Sequence, residues 1–140
     1  MFQELAILQP QTLEFVDPKR ILIVDDDEGQ RLTLSYRLEC LGFETQTVGS
    51  GLEGLRLAQH HHPDLVILDV RLPDMDGLSV CEQINDNAET CCIPVLILSG
   101  MDRQDIVRRA RAAGCRYFLR KPYDPNVLLM VIEQLLKGES

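Results

Sequence analysis

The chain has 140 residues, of which 45% are hydrophobic and 26% are charged, values that suit one domain with a single core and disfavour a disordered protein. Its 22 acidic residues outnumber its 14 basic residues, so we expect no direct binding to nucleic acid. No apolar run is as long as a membrane-spanning helix and the N-terminus does not resemble a secretory signal, so we expect a cytoplasmic protein that does not bind membranes.

The first strand and helix follow an N-terminal extension. We assign residues 1–18 to this extension, whose apolar residues have no clear period and fit a short strand, a short helix or a tail. A domain is predicted over residues 19–138. It begins with a continuous apolar run over residues 21–24, typical of a strand covered by helices on both faces. A helix follows with leucines at helical spacing, and a glycine is expected to end it (Leu34, Leu38, Leu41 and Gly42).

The same pattern of strand and helix recurs four more times. The later strands are predicted at residues 43–48, 65–68, 95–98 and 117–119. Three of the later helices have residues suited to begin them: Ser50 for the second, Gly100 and Asp102 for the fourth, Asp124 and Pro125 for the fifth. The predicted buried faces of the second and fifth helices comprise Leu52, Leu55 and Ala58, and Val127, Leu128, Val131, Ile132 and Leu135.

This alternation predicts an α/β fold in which a parallel sheet is covered by helices on both sides. The second strand mixes apolar and polar residues, so we expect it at an edge of the sheet. The strand order 2-1-3-4-5 of the doubly wound, flavodoxin-like (βα)5 class satisfies this condition. It also places the first and third strands side by side.

Polar side chains follow four of the predicted strands. Asp25 and Asp26 follow the first strand, Asp69 follows the third, and Ser99 and Lys121 follow the fourth and fifth. Because a parallel sheet collects its functional groups at the carboxyl ends of its strands, we expect these side chains to converge. Three close carboxylates repel one another unless a cation or a shared proton relieves them, and Mg2+ prefers oxygen ligands. The pattern therefore predicts a site for Mg2+ and a phosphoryl group.

The residues of this site are expected to have different roles. The carboxylate of Asp69 can attack phosphorus and form an aspartyl-phosphate. The ammonium of Lys121 and the hydroxyl of Ser99 are suited to contact phosphoryl oxygens. Asp27 is expected to lie outside the site, because its position suits the N-cap of the first helix.

Four segments, ILIVDDDE, PDLVILDVRLPDMDG, PVLILSG and YFLRKPY, resemble those of the receiver domains of two-component response regulators. The resemblance covers about residues 20–137, and the spacing of the site residues is also similar to the family's. It implies a two-component or phosphorelay protein in which Asp69 accepts phosphate from a histidine kinase or a histidine phosphotransfer protein. Self-phosphorylation and slow self-dephosphorylation would be its only catalytic activities.

The resemblance also implies a role for each residue around the metal. Asp26, Asp69 and the backbone carbonyl of Arg71 would bind Mg2+ directly, and Asp25 would hold a metal-bound water. Ser99 and Lys121 would bind the oxygens of the phosphoryl group.

Three more positions are assigned by the resemblance. Phe118 occupies the family's aromatic switch position, where a role in switching and a purely structural role in the core both remain open. Arg71 and Met101 flank the site, two residues after Asp69 and Ser99 respectively. Neither is suited to position an attacking water, so we expect slow self-hydrolysis and a long-lived phosphorylated state.

Seven basic residues fall within residues 101–121, namely Arg103, Arg108, Arg109, Arg111, Arg116, Arg120 and Lys121. They fit either a solvated surface or a partner surface on the fourth helix and fifth strand. The second interpretation resembles the face that many receivers use for phosphorylation-dependent dimerisation. The adjacent His60, His61 and His62 cannot share one helix face, so we expect them to end the second helix rather than to bind a metal.

The five cysteines are an odd number and have no C-x-x-C spacing, which disfavours a disulfide framework and a zinc site. We expect reduced thiols that lie mostly in the core (Cys40, Cys81, Cys91, Cys92 and Cys115).

An alternative function is an aspartyl phosphatase similar to the haloacid dehalogenases, with Asp25 as nucleophile and Asp27 as acid. The chain has no segment long enough for that class's cap region, and this alternative leaves Asp69 unexplained. Because the last predicted helix runs almost to Ser140, we expect no output domain after it.

Overall fold

The computed structural model of the protein describes residues 17–100, 104–115 and 117–138. Within these residues the elements are β1 (Arg20–Val24), α1 (Glu28–Cys40), β2 (Glu44–Val48), α2 (Gly51–His61), β3 (Leu65–Asp69), α3 (Gly77–Asp86), β4 (Val95–Ser99), α4 (Gln104–Ala112), β5 (Tyr117–Arg120) and α5 (Pro125–Leu136). All strand pairs are parallel and follow the order β2-β1-β3-β4-β5, so the predicted fold class and strand order are confirmed. Of the predicted extension at residues 1–18, only Asp17 and Pro18 lie within the described residues.

The three central strands are almost wholly buried, whereas the edge strands are not. Strands β1, β3 and β4 consist mainly of branched apolar residues, which suit a sheet covered on both faces. Strand β2 is half-exposed and carries threonine and glutamine, as expected for an edge strand. Every other residue of a strand faces the same side, so Tyr117 and Phe118 of β5 pack into different cores.

Two apolar cores sandwich the sheet. Helices α1 and α5 cover one face through Leu34, Leu38, Leu128, Ile132 and Leu135. Helices α2, α3 and α4 cover the other face through Ala58, Leu78, Val80, Cys81, Ile84, Ile106 and Ala110. Each fully buried leucine, isoleucine or valine side chain contributes roughly 1.5–3 kcal/mol relative to exposure. The two cores therefore hold the carboxyl edge of the sheet in place.

Local capping contacts fix the ends of the helices near that edge. Asp27 accepts a hydrogen bond from the backbone N–H of Gln30 at 3.1 Å, and Asp124 accepts one from Asn126 at 2.8 Å. Ser50 accepts one from Glu53 at 3.3 Å. These three predicted N-caps are confirmed, and the histidines end α2 as predicted. The predicted opening of α4 at Asp102 lies outside the described residues.

Three apolar residues of the predicted helical patterns are exposed, although two of them, Leu52 and Val127, were assigned to buried faces. Leu41, Leu52 and Val127 have exposed fractions of 55%, 61% and 42%. Helix α2 packs through small residues, because a Cβ added at Gly54 would lie only 2.9 Å from the side chain of Val24. This close packing turns Leu52 toward solvent, while Leu41 lies beyond the last turn of α1.

The expectation that the cysteines lie mostly in the core is wrong. Cys81 and Cys115 are buried, but Cys40, Cys91 and Cys92 are exposed. Cys40 is the last residue of α1, and the other two exposed thiols belong to the turn before β4. These positions lie outside the two core faces, where apolar character alone does not determine burial.

Candidate functional site

Three carboxylates meet where β1 and β3 end side by side. Strand β1 ends at Val24, so Asp25 and Asp26 follow it directly, and Asp69 is the last residue of β3. One carboxylate oxygen from each aspartate lies within 4.8 Å of the others. Asp25 is buried, Asp69 is partly buried and Asp26 is exposed. The cluster is therefore anchored in the sheet and open on one side.

The ammonium group of Lys121 lies against two of these carboxylates. Its Nζ is 3.3 Å from Asp25 Oδ2 and 3.2 Å from Asp69 Oδ2. Burial opposes the charge on Lys121, but attraction to Asp69 and Asp25 outweighs it and raises the pKa of the lysine above 10.5. The lysine is therefore a fixed positive charge beside the carboxylate of Asp69.

Asp25 is the most buried of the three aspartates, with 7% of its surface exposed. Its Oδ1 accepts a hydrogen bond from the backbone N–H of Asp27 at 2.9 Å. Burial raises the pKa of Asp25; the Asp27 hydrogen bond and Lys121 oppose this shift, and the charge of Asp69 adds to it. A divalent cation would stabilise the charged form of this buried carboxylate.

The chain immediately after Asp69 is held by close backbone packing. Asp69 Oδ1 accepts a hydrogen bond from the backbone N–H of Arg71 at 3.2 Å. The N–H of Gly77, at the start of α3, donates to the carbonyl of Val70 at 2.7 Å. A Cβ on Gly77 would overlap the carbonyl oxygen of Asp69, so only glycine fits there. This packing fixes the backbone of Asp69.

Asp74 ties the same loop to α2, a role that the sequence did not predict. Its two carboxylate oxygens accept hydrogen bonds from the N–H groups of Gly51 at 2.8 Å and Leu52 at 2.9 Å. These two bonds lower the pKa of Asp74 below its ordinary value of 3.8. The only sequence signal for this contact was the start of α2. The side chain of Ser50 can satisfy only some of the free backbone N–H groups there, so another acceptor is needed.

Gln30 is a second residue of the site that the sequence did not predict. Its Oε1 accepts a hydrogen bond from Lys121 Nζ at 2.7 Å, a shorter distance than either lysine–carboxylate contact. Its position in the first turn of α1, three residues after the N-cap Asp27, was the only sequence signal.

Ser99 lies on β4, the strand next to Asp69, and Phe118 lies on β5, one strand further along the sheet. Ser99 ends β4 and is fully buried, and its backbone carbonyl accepts a hydrogen bond from the N–H of Lys121 at 2.8 Å. Phe118 is half-buried and packs against the core under α2, α3 and α4. Met101, the predicted flanking residue after Ser99, lies outside the described residues.

Arg109, a residue of the predicted basic surface, forms an ion pair with a neighbouring helix. A guanidinium nitrogen of Arg109 binds the carboxylate of Asp76, the N-cap of α3. Arg108 and Arg111 are exposed on α4, whereas Arg103 and Arg116 lie outside the described residues.

An open groove of about 660 Å3 adjoins the carboxylates. Its lining includes Asp26, Arg71, Asp76 and Arg109. Within the described residues, this carboxylate trio is the one group of three or more acidic, histidine or cysteine ligands close enough to share a metal ion. A donor set made only of oxygens, open to a groove, fits Mg2+ with room left for a phosphoryl oxygen.

Sequence comparisons relate the chain to response regulators. The model of the response regulator receiver domain matches residues 21–133. The polar-differentiation response regulator DivK of Brucella ovis is 36% identical over 118 residues, which make up 84% of this chain and 96% of DivK. The DNA-binding dual master transcriptional regulator RpaA of Synechocystis sp. is 35% identical over 118 residues, or 84% of this chain and 49% of RpaA.

Structural comparisons lead to the same family. A CheY-like receiver domain protein from Methanospirillum hungatei has a TM-score of 0.82 and 28% identity, with 87% of this chain and 96% of that chain covered. The chemotaxis protein CheY4 of Vibrio cholerae has a TM-score of 0.79 and 28% identity, with coverage of 85% and 99%. In the ranges that the structure describes, no helix is both long and apolar enough to cross a membrane.

Proposed function

Because the chain belongs to the response regulator receiver domain family of two-component signalling, we propose that Asp69 accepts a phosphoryl group from a phosphohistidine donor in a Mg2+-dependent transfer. The observation that carries the proposal is the grouping of Asp25, Asp26 and Asp69 around one point, with Lys121 beside Asp69. The donor would be a histidine kinase or a histidine phosphotransfer protein.

The oxygens of this site would supply part of the octahedral ligand set of Mg2+, and water and a phosphoryl oxygen would complete it. Asp26, Asp69 and the carbonyl of Arg71 would hold the ion directly, and Asp25 would hold one of its water molecules. When bound, Mg2+ supplies positive charge that offsets the carboxylates and the phosphoryl oxygens.

The transfer requires positioning and charge compensation more than acid–base catalysis. A carboxylate oxygen of Asp69 forms a bond to phosphorus as the bond from phosphorus to the donor imidazole nitrogen breaks. The imidazole keeps the electron pair of that bond and takes a proton from solvent when required. Lys121 is already within 3.2 Å of Asp69 and would contact a phosphoryl oxygen with little movement.

Ser99 and Phe118 would convey the phosphorylated state to the surface. The Ser99 hydroxyl would contact a second phosphoryl oxygen. Phe118, half-buried beside α4, would then settle deeper into the core. The exposed Arg108 and Arg111 make α4 and β5 the favoured face for a partner or a second copy of the chain. The net charge of −8 disfavours direct binding to nucleic acid.

The alternative phosphatase function has weaker support. It requires Asp27 as an acid, but the Asp27 side chain caps α1 by accepting the hydrogen bond from Gln30. Asp69 would have no role in it, although it shares Lys121 with Asp25.

The test is phosphorylation by acetyl phosphate and Mg2+, followed by intact-mass measurement. We expect the wild type to gain one phosphoryl group and to lose it slowly, because Arg71 and Met101 are not suited to position water. Asp69→Asn should gain none, and a matched control, Asp86→Asn at the exposed end of α3, should behave as the wild type. Full incorporation by Asp69→Asn combined with none by Asp25→Asn would support the phosphatase and contradict the proposal.

A further inference from the structure

The ammonium group of Lys121 has three hydrogen-bond partners that differ in kind. Two are the carboxylates of Asp25 and Asp69, at 3.3 and 3.2 Å, and the third is the neutral amide oxygen of Gln30, at 2.7 Å. An ammonium has three N–H groups, so these three acceptors can use all of them. The shortest contact is thus made by the uncharged partner, which lies on α1.

Lys121 and a divalent cation would compete for the same carboxylates. A cation held directly by Asp69, and by Asp25 through a water, would offset the negative charge of both carboxylates and repel the ammonium at short range. Gln30 is not part of the carboxylate cluster, so its amide oxygen remains available in both states. It also lines, with Lys121, Arg37 and Tyr123, an open cavity of about 750 Å3 between α1 and the start of α5. The amide therefore holds Lys121 on the side of Asp69 that faces this cavity, by a contact that does not depend on the carboxylates.

We propose that Gln30 is a positioning residue that holds Lys121 beside Asp69 while the carboxylates are occupied by Mg2+. The proposal rests on the function proposed above, since it assumes that the carboxylate cluster binds Mg2+. Without Gln30, Lys121 would move closer to Asp25 and Asp69 and would have to be displaced before the metal binds. Gln30 would thereby favour metal binding and would also keep Lys121 in position to contact a phosphoryl oxygen.

Binding of MgCl2 alone, measured by isothermal titration calorimetry, tests this proposal through a double-mutant cycle. Gln30→Met keeps the length of the side chain but removes the acceptor, and it should weaken Mg2+ binding about tenfold, the equivalent of one hydrogen bond to a charged donor at the lower end of its usual range. Lys121→Met should strengthen Mg2+ binding, because the competing charge is gone. In the Lys121→Met background, adding Gln30→Met should have no further effect.

A matched control is Gln59→Met, which makes the same change on the exposed surface of α2 and should leave Mg2+ affinity unchanged. Circular dichroism of every variant verifies that it is folded. An equal loss of affinity from Gln30→Met with and without Lys121 would show that Gln30 acts on the helix and not through the lysine, and would overturn the inference. Unchanged affinity in Gln30→Met would also overturn it.

The outcome separates this inference from the proposed function. If the wild type binds Mg2+ and is phosphorylated on Asp69, but the cycle shows no coupling, only the role of Gln30 is wrong. If the wild type binds no Mg2+, the proposed function and the inference fall together.

Discussion

Neutralising Asp26 should stabilise the metal-free protein. Asp26 is exposed and lies within 4.8 Å of two other carboxylates, but the contacts of Lys121 go to Asp25 and Asp69. Asp26→Asn therefore removes two repulsions without removing an ion pair with the lysine. A residue retained at a cost to stability is typical of a binding site.

The size of the effect follows from Coulomb's law. Two unit charges 4.8 Å apart interact by about 0.9 kcal/mol in water and about 3.5 kcal/mol at an effective dielectric constant of 20. Because Asp26 is exposed, the lower value applies to each of its two pairs, and the nearby lysine offsets part of the sum. We expect a gain of about 1 kcal/mol in the free energy of unfolding, or about 4 °C in Tm.

The assay is thermal and urea unfolding followed by circular dichroism, because the chain has no tryptophan. With EDTA and low salt, Asp26→Asn should unfold at the higher temperature, and the difference should shrink in 0.5 M NaCl, roughly three times the ionic strength of a cell. With saturating Mg2+ the order should reverse, because the wild type binds the ion more tightly and gains more binding energy. A control, Glu133→Gln on the exposed side of α5, should show neither effect. A destabilised Asp26→Asn in EDTA, or a gain unchanged by Mg2+, would refute this reasoning.

Two other substitutions test the loop that follows Asp69. Gly77→Ala should lower the free energy of unfolding by about 2–3 kcal/mol, because the new Cβ would overlap the carbonyl of Asp69; the urea midpoint measures this, and a neutral variant would contradict the close packing. Asp74→Asn should be less stable than the wild type at pH 7. Hydrogen bonds from Gly51 and Leu52 lower the pKa of Asp74, so the carboxylate stabilises the fold above its ordinary pKa of 3.8. The difference should disappear as the pH falls through the lowered pKa, and a difference independent of pH between 7 and about 3 would argue against this role.

The strand order and the carboxylate cluster were predictable from the sequence because they depend on local signals and general topology. Apolar runs located the strands, and the polar character of β2 placed it at an edge. Once β1 and β3 are neighbours, Asp25, Asp26 and Asp69 must meet at their carboxyl ends. The cap made by Asp27 was also predictable, because it spans only three residues.

The contributions of Gln30 and Asp74 could not be predicted in this way. The hydrogen bond from Lys121 to Gln30 joins residues 91 positions apart, and the bond from Gly51 to Asp74 joins residues 23 positions apart. Side-chain reach across the folded structure decides such contacts, and no spacing rule encodes it. The exposure of Leu52 has a similar cause, since the packing of Gly54 against Val24 sets the rotation of α2.

The central claim is that Asp69 is the residue that carries the phosphoryl group, and chemical reduction of the phosphorylated protein tests it most directly. Borohydride converts an aspartyl-phosphate to homoserine, which peptide mass spectrometry can locate. After incubation with acetyl phosphate and Mg2+, we predict homoserine at position 69 and unmodified aspartate at positions 25, 26 and 27. Homoserine at position 25, or unmodified aspartate at all four positions, would contradict the account.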